Sequence, residues 1–250
     1  MPGPHAGGRR TEARVRTGRR AVVVGVVGAA GGVGASTLAA LVARRLSRVT
    51  STALVDLDRG AAGMDVVVGV EDVEGARWPD LSGAGGDVRG ADVVALLPRW
   101  GACAVLSADR TRPTTVDPGV RLDVLHALAC EVGALVLDLD RGTIVDGDAP
   151  LAACDAVVVA ARPDLRSVAG ALALRPRLDE AATTCGLVVR GGASAALGAA
   201  DVGAASGLDV WHVARRDRAL VARAERVGPG GRGPAARSAD AVVRRLGIGT

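Results

Sequence analysis

The sequence predicts an α/β fold, in which a single domain holds a mostly parallel β-sheet with helices on both faces. Short runs of Val, Leu and Ala, each long enough for a buried strand, alternate along the chain with stretches of helical periodicity. These runs are apolar at nearly every position, which is typical of strands covered on both sides in a parallel sheet. Hydrophobic residues make up 49% of the 250 residues, so the chain can form a sizeable core.

The predicted elements begin after a basic N-terminal segment. Residues 1–20 hold Pro, Gly and Arg without an apolar period, and we expect them to be a disordered tail. The folded domain is predicted to span residues 21–250. Strands are predicted over 21–27, 52–58, 102–108, 134–140, 155–161, 186–191 and 208–214. Helices are predicted over 36–46, 118–132, 164–176, 197–206, 217–226 and 235–246.

Charge is distributed unevenly along the chain. Residues 1–20 carry a net charge of +5, residues 21–214 carry −7 and residues 215–250 carry +6. Basic ends of this kind can meet nucleic acid or an anionic membrane, but a solvated linker and a solvated last helix explain them more simply. We therefore do not expect nucleic acid as a partner. No apolar run approaches the roughly 18–20 residues that a membrane-spanning helix needs.

A glycine-rich loop between the first strand and the first helix is the strongest candidate site. Glycines in the stretch AGGVGAST, residues 30–37, allow the backbone to wrap closely around a phosphate. The N–H groups at the start of the following helix, together with its dipole, favour a bound anion. Hydroxyls follow at the positions where they would face Mg²⁺ and a phosphate oxygen. The residues expected to bind nucleotide are Gly31, Gly32, Val33, Gly34, Ala35, Ser36 and Thr37.

The loop departs from the standard phosphate-binding pattern G-x-x-x-x-G-K-[ST]. Ala35 stands where that pattern has lysine, and Ala29 stands where it has the first glycine. The chain has no lysine at all, because its 31 basic residues are all arginine. A tight strand-to-helix turn that binds nothing therefore stays open as an interpretation. A dinucleotide-binding turn also stays open, with its glycines at Gly28, Gly31 and Gly34 and its ribose-binding acid at Asp56 or Asp58.

Three segments resemble, in chain order, parts of the MinD/ParA family of P-loop ATPases. ALVDLDRGAAGMDVVVGVE (53–71) resembles the segment after that family's second strand, and ALVLDLDRG (134–142) resembles its Walker B strand. CDAVVVAARPDLRSVAGA (154–171) resembles the next strand and helix. The family's loop reads KGGxGK[ST], whereas this chain has AGGVGAS, so both lysines are replaced, at Ala30 and Ala35. The resemblance implies a degenerate P-loop NTPase-like domain.

The loop sequence GGVGAST resembles more closely the CpaE/TadZ branch, which is linked to pilus assembly and polar localisation. GARWPDL (75–81) and WGACAVLS (100–107) look like segments of actinobacterial CpaE-like proteins, which are often described as septum site-determining. Members of that branch usually carry an N-terminal receiver-like domain. We interpret the basic segment 1–20 as the remains of a linker to such a domain or as the product of a misplaced gene start.

The resemblance implies ATP and Mg²⁺ as cofactors and gives roles to the acidic residues at the strand ends. Asp58 would act in catalysis by orienting the attacking water or by supporting Mg²⁺. The expected Mg²⁺ ligands are Ser36, Asp56 and Asp138. Because both lysines are absent, we expect ATP to bind weakly or only vestigially, and hydrolysis to be weak or absent. Arg59 or Arg141 could replace the missing charge, since both follow acids at strand ends.

The implied function is that of a spatial organiser for septum placement or for pilus or secretion machinery. Its expected partners are proteins of that machinery, and the family also implies a homodimer. The expected location is the cytoplasm, with peripheral association at the inner face of the membrane at a pole or septum. The last helix has apolar residues at helical spacing over 237–246, but we expect them to pack on the domain. An active ATPase with arginine in place of lysine and a nucleotide-free scaffold are the alternatives.

Overall fold

The computed structural model describes residues 20–58, 63–86, 88–191, 197–215, 217, 220 and 228–248. The N-terminal tail predicted to be disordered lies outside these residues except for Arg20. Most of the predicted helix 217–226 and the candidate Arg59 also lie outside them. The boundary between tail and domain therefore stays a prediction.

One eight-stranded sheet forms the centre of the domain. In chain order its strands are β1 (Val22–Gly28), β2 (Thr52–Asp56), β3 (Arg99–Trp100), β4 (Cys103–Leu106), β5 (Ala134–Leu139), β6 (Ala156–Ala161), β7 (Thr184–Arg190) and β8 (Val210–Ala214). Their spatial order is β3-β4-β2-β5-β1-β6-β7-β8. Every neighbouring pair is parallel except β3 and β4. The predicted fold class, α/β with a mostly parallel sheet, is confirmed.

Helices cover both faces of the sheet, because each inner strand buries side chains on both of its sides. The described helices are α1 (Ala35–Leu46), α2 (Met64–Val68), α3 (Gly90–Leu96), α4 (Pro118–Glu131), α5 (Arg141–Asp146), α6 (Leu165–Glu180), α7 (Ala199–Ser206) and α8 (Pro234–Arg245). One core cluster lies between the sheet and α3, α4, α6 and α7. The second lies between the opposite face and α1, α2 and α8. The core is built mainly from Val, Leu and Ala, since the chain lacks Phe and Tyr.

The C-terminal helix α8 packs its apolar side on the domain. Val242 is fully buried, and Ala239 and Val243 are buried beside it in the cluster that contains α1. Arg45 of α1 also pairs with Asp240 of α8 at 2.9 Å at the partly exposed edge of this contact. The prediction that this helix packs on the domain is confirmed. No helix in the described ranges is long and apolar enough to cross a membrane.

The structure contains elements that the pattern did not predict. Helices α2, α3 and α5 and strand β3 are each seven residues or shorter, too short to show a clear period. Helix α6 also continues past Pro176 to Glu180, beyond the predicted end at residue 176. Proline removes one backbone donor, but burial of Leu174 and Leu178 on either side of it holds the helix on the sheet.

Candidate functional site

The carboxyl ends of the central strands bring the predicted acidic residues next to the glycine-rich loop. Strand β5 lies between β1 and β2, and its Asp138 pairs in register with Val26 on one side and Asp56 on the other. The loop leaves β1 at Gly28, only two residues beyond Val26. Residues that are distant in sequence therefore meet at one edge of the sheet, the edge where open α/β sheets bind ligands.

The loop has the backbone conformation of an anion cradle. Ala29 N–H donates to the carbonyl of Ala160 at 2.8 Å, and Leu38 N–H donates to that of Gly34 at 3.0 Å, so both ends are fixed. Gly32 and Gly34 have φ angles of 69° and 87°, which side chains rarely allow. Residues 31 and 32 form a turn, and within the described structure no backbone N–H between residues 30 and 37 makes a close, well-aligned hydrogen bond to a protein acceptor. These donors remain available to an anion.

A cleft of about 500 Å³ opens over the loop. Its volume lies within the range of about 300–1,000 Å³ that is typical of small-molecule sites. Asp58, Asp138 and Arg141 line the cleft opposite the loop. The structure thus brings together all the residues expected to bind nucleotide with two of the three predicted acids. The loop residues in the lining are Gly31, Gly32, Val33, Gly34, Ala35, Ser36 and Thr37.

Asp56 is not among the residues that line this cleft, and its carboxylate organises the neighbouring backbone. The carboxylate accepts hydrogen bonds from the N–H groups of Met64 at 2.8 Å, Asp58 at 3.1 Å and Ala108 at 3.5 Å. Asp56 lines a second cavity of about 490 Å³ that also contains Asp58 and Trp78. The Trp78 indole N–H donates to the Asp56 carbonyl at 2.6 Å. Asp56 therefore positions its neighbours, and a direct contact with Mg²⁺ stays a prediction.

Asp138 is the most deeply buried of the predicted metal ligands that line the cleft. It is 2% exposed, and burial, reinforced by the charges of Asp56 and Asp58, raises its pKa to about 8, while the Ser36 hydroxyl acts in the opposite direction. Ser36 and Asp138 present a hydroxyl and a carboxylate to the same cleft, and Mg²⁺ prefers such oxygen donors. Among the described residues, no three His, Cys, Asp or Glu side chains form a protein-only metal cage. The donor set fits a Mg²⁺ ion whose coordination is completed by phosphate and water.

The raised pKa values predict how stability depends on pH. The usual aspartate pKa is 3.8, and in the fold burial raises it to about 6 for Asp56 and about 8 for Asp138. Between pH about 4 and about 8, the folded chain therefore binds more protons than the unfolded chain. The free energy of unfolding falls as pH rises through this range. We expect urea denaturation without Mg²⁺ to show this fall. Asp138→Asn should flatten it, and an unchanged slope in that variant would contradict the prediction.

Three arginines donate hydrogen bonds to backbone carbonyls of the loop. Arg141 Nη1 donates to the carbonyl of Ala29 at 3.1 Å. Arg162 Nη2 donates to that of Gly32 at 2.5 Å. Arg190 Nη1 donates to the carbonyls of Val33 at 2.9 Å and Gly34 at 3.4 Å. The residues predicted from the sequence include Arg141 but not Arg162 or Arg190. A search for arginines at strand ends would have selected both, because Arg190 ends β7 and Arg162 directly follows β6, but their contacts with the loop are visible only in the fold.

Helix α6 presses against the start of the loop at Gly170. A Cβ at this position would overlap the backbone oxygen of Ala29. Gly→Ala in a helix normally stabilises by about 0.5–1 kcal/mol. Here we expect Gly170→Ala to destabilise by about 1–3 kcal/mol, because backbone must move. Urea denaturation measures the change, and Gly83→Ala, whose Cβ would meet no neighbour, is the control. A stabilised Gly170→Ala protein would contradict this account of the packing.

Comparison of the chain with known sequences gives few matches, whereas comparison with solved structures gives many. No family model matches it. An uncharacterized protein of Mycobacterium tuberculosis, found in two strains, is 37% identical to it over 206 residues. The aligned region covers 82% of this chain and 58% of the relative, so the chain spans less than two thirds of the length of the curated proteins it matches.

Solved structures with the same fold include ATPases of the MinD and ParA type. A ParA family ATPase from Chlorobium tepidum has a TM-score of 0.72 and 16% identity, covering 89% of this chain and 98% of its own. The septum site-determining protein MinD with Mg-ADP from Pyrococcus horikoshii has a TM-score of 0.73 and 16% identity, and the match covers 90% of this chain and 95% of the MinD chain. A chain of the MinC:MinD cell division complex of Aquifex aeolicus has a TM-score of 0.73 and 17% identity, and the match covers 92% of this chain and 97% of that chain. The fold of this chain is therefore the MinD/ParA-like P-loop NTPase fold.

Proposed function

We propose that this chain binds a nucleoside triphosphate with Mg²⁺ in the cleft over the glycine-rich loop and hydrolyses it slowly or not at all. The observation that carries the proposal is the cleft itself. Its lining combines a row of loop N–H groups that lack close, well-aligned protein acceptors with Asp58 and Asp138 on the facing strand ends. Unpaired N–H groups at a helix start suit phosphates, and the acids suit the metal ion that accompanies them. The MinD structure with Mg-ADP supports the same ligand class.

Slow hydrolysis follows from the missing lysine. In phosphoryl transfer, catalysis comes mostly from positioning and from groups that stabilise developing charge. Ala35 places only a methyl group at the position where a lysine ammonium would reach the transferred phosphate. Loss of one such preorganised group typically costs about 10²–10³ in rate. Asp58 remains in the cleft as the candidate for orienting water.

The biological role we propose is spatial organisation through protein partners. Two of the similar structures are a septum site-determining MinD and a complex of MinD with MinC, which supports a role in division and a readout through bound proteins. The resemblance of the loop sequence to the CpaE/TadZ branch extends the proposal to pilus or secretion machinery. A homodimer, a cytoplasmic location and peripheral association with the membrane belong to the same proposal.

A working ATPase is the second candidate, and a specific observation favours it. Arginines contact the loop at Ala29, Gly32 and Val33, so positive charge lies beside the cleft although lysine is absent. Mg²⁺-dependent turnover by the parent chain that Asp58→Ala abolishes would establish this candidate. Binding without turnover would establish the first.

Calorimetric titration of ATP–Mg²⁺ into the full chain tests the proposal. Saturable binding is expected, and Ser36→Ala and Asp58→Ala should weaken it because both residues line the cleft. Asp92→Ala, an exposed acid on α3, serves as the matched control and should bind like the parent. No binding at millimolar nucleotide would refute the proposal and leave the nucleotide-free scaffold, in which the loop only closes the fold.

A further inference from the structure

Two guanidinium groups lie against the loop on the side away from its N–H groups. Arg190 Nη1 contacts the carbonyls of Val33 and Gly34, and Arg162 Nη2 contacts that of Gly32. The three carbonyls are consecutive, and they belong to the part of the loop that lines the cleft. Arg190 ends β7 and Arg162 directly follows β6. These two strands are neighbours in the sheet, so both guanidinium groups lie beside the same short stretch of backbone.

The peptide geometry connects these contacts to the cleft. In a trans peptide the C=O and the next N–H point in opposite directions. The carbonyls of Gly32 and Val33 therefore share their peptide groups with the N–H donors of Val33 and Gly34. A charged donor on a carbonyl polarises its peptide group and strengthens the N–H on the other side. Within the described residues, neither N–H group makes a close, well-aligned hydrogen bond to a protein acceptor, although the Val33 N–H closes the turn at residues 31–32.

Gly34 shows how closely Arg190 approaches the loop. A Cβ at Gly34 would overlap the Nη1 atom of Arg190, so the guanidinium lies directly against the glycine backbone. Gly34 also has a φ of 87°. Glycine at this position is therefore required both by the backbone conformation and by the space that Arg190 occupies.

The two arginines lie close enough to repel each other. Burial, followed by the charge of Arg162, lowers the pKa of Arg190, and Asp217 acts in the opposite direction. Arg190 is half-buried, so water screens this repulsion only in part. An anion in the cleft would lower the energy of both charges at once. A bound phosphate would therefore be attracted by both guanidinium groups.

We propose that Arg190, assisted by Arg162, supplies from behind the loop the positive charge that lysine supplies inside an ordinary phosphate-binding loop. The ligand class is the polyphosphate group of a nucleoside di- or triphosphate. Arg190 is a positioning residue, because it acts on the phosphates through the loop peptides. This inference rests on the proposed function, since it concerns the same cleft.

The test compares binding of ATP–Mg²⁺, tripolyphosphate and AMP by the full chain and its variants. Arg190→Met removes the charge and should weaken ATP and tripolyphosphate binding by about ten- to a hundredfold, the range expected for a hydrogen bond to a charged group. The affinity for AMP should fall less, because AMP carries less negative charge. Arg190→Lys should keep most of the affinity. Arg175→Met is the matched control, because Arg175 also donates to a glycine carbonyl, that of Gly207. This control variant should bind all three ligands like the parent.

Rescue separates an electrostatic role from a structural one. Ala35→Lys restores the ordinary lysine, and in the Arg190→Met background it should recover ATP binding if Arg190 provides charge. Should Arg190→Met fail to fold, Arg162→Met tests the same idea at an exposed residue and should weaken tripolyphosphate binding more than AMP binding.

The outcomes distinguish this inference from the proposed function. If the parent binds ATP and Arg190→Met binds it equally well, the inference is overturned and the proposed function stands. Equal weakening of all three ligands without rescue by Ala35→Lys would also overturn it, because a structural brace would behave in that way. A parent chain that binds neither ATP nor tripolyphosphate overturns both.

Discussion

Replacing Ala35 with lysine is expected to raise ATP turnover by about 10²–10³. Ala35 is the first residue of α1 and lines the cleft that also contains Asp58 and Asp138. An ammonium group at this position would reach the phosphates that the loop N–H groups hold, and would neutralise charge that develops during transfer. Phosphate release from ATP–Mg²⁺ measures the change.

Ala35→Met is the control for this substitution, because methionine has similar length and no charge. Lysine at a helix start opposes the helix dipole and should cost about 0.3–1 kcal/mol of stability, so unfolding is measured alongside turnover. A folded Ala35→Lys protein with the turnover of its parent would show that the missing lysine is not what limits hydrolysis. The scaffold interpretation would then gain support.

Arg77→Met is expected to lower the free energy of unfolding by about 3–5 kcal/mol, the usual cost of breaking a buried ion pair from one side. The side chains of Arg77 and Asp65 are 7% and 3% exposed, and Arg77 Nε lies 2.9 Å from Asp65 Oδ2. Asp65 also accepts a hydrogen bond from the Ser107 hydroxyl at 3.0 Å. The substitution leaves a buried carboxylate with its main charge partner removed. Urea denaturation measures the loss.

Arg77 also holds backbone. Its guanidinium donates to the carbonyls of Gly75, Val70 and Val73, so methionine would leave those acceptors without this donor. Arg89→Met is the matched control, because the Arg89–Asp92 pair is exposed and should contribute about 0–1 kcal/mol. Equal effects of the two substitutions would contradict the distinction between buried and exposed pairs on which this prediction depends.

The fold could be predicted because its long elements have strong patterns. The run from Val22 to Gly28 is apolar at almost every position, and its register with β5 and β6 confirms a strand buried in the sheet. Strand β3 was missed because it has only two residues and depends on pairing with β4. Helix α5 was missed because its start depends on the Asp140 side chain, which accepts a hydrogen bond from Gly142 N–H.

The candidate site could be predicted from local sequence only in part. The loop glycines and Asp138 are visible because each belongs to a short motif. The contacts of Arg162 and Arg190 with the loop join residues more than a hundred positions apart, so no local pattern contains them. The position of Asp56 at a strand end was predicted, but its hydrogen bonds were not. They come from the N–H groups of Met64 and Ala108, which lie on two later segments that fold over it.

The position of Trp78 gives the protein a natural optical reporter. The chain has three tryptophans and no tyrosine, so all of its near-ultraviolet emission comes from Trp78, Trp100 and Trp211. Trp78 is bonded through its indole N–H to the backbone of Asp56, whereas Trp100 packs under Arg44 on the opposite face of the sheet. A protein that retains only Trp78 would therefore report by its emission wavelength on events at the strand ends, without any attached dye.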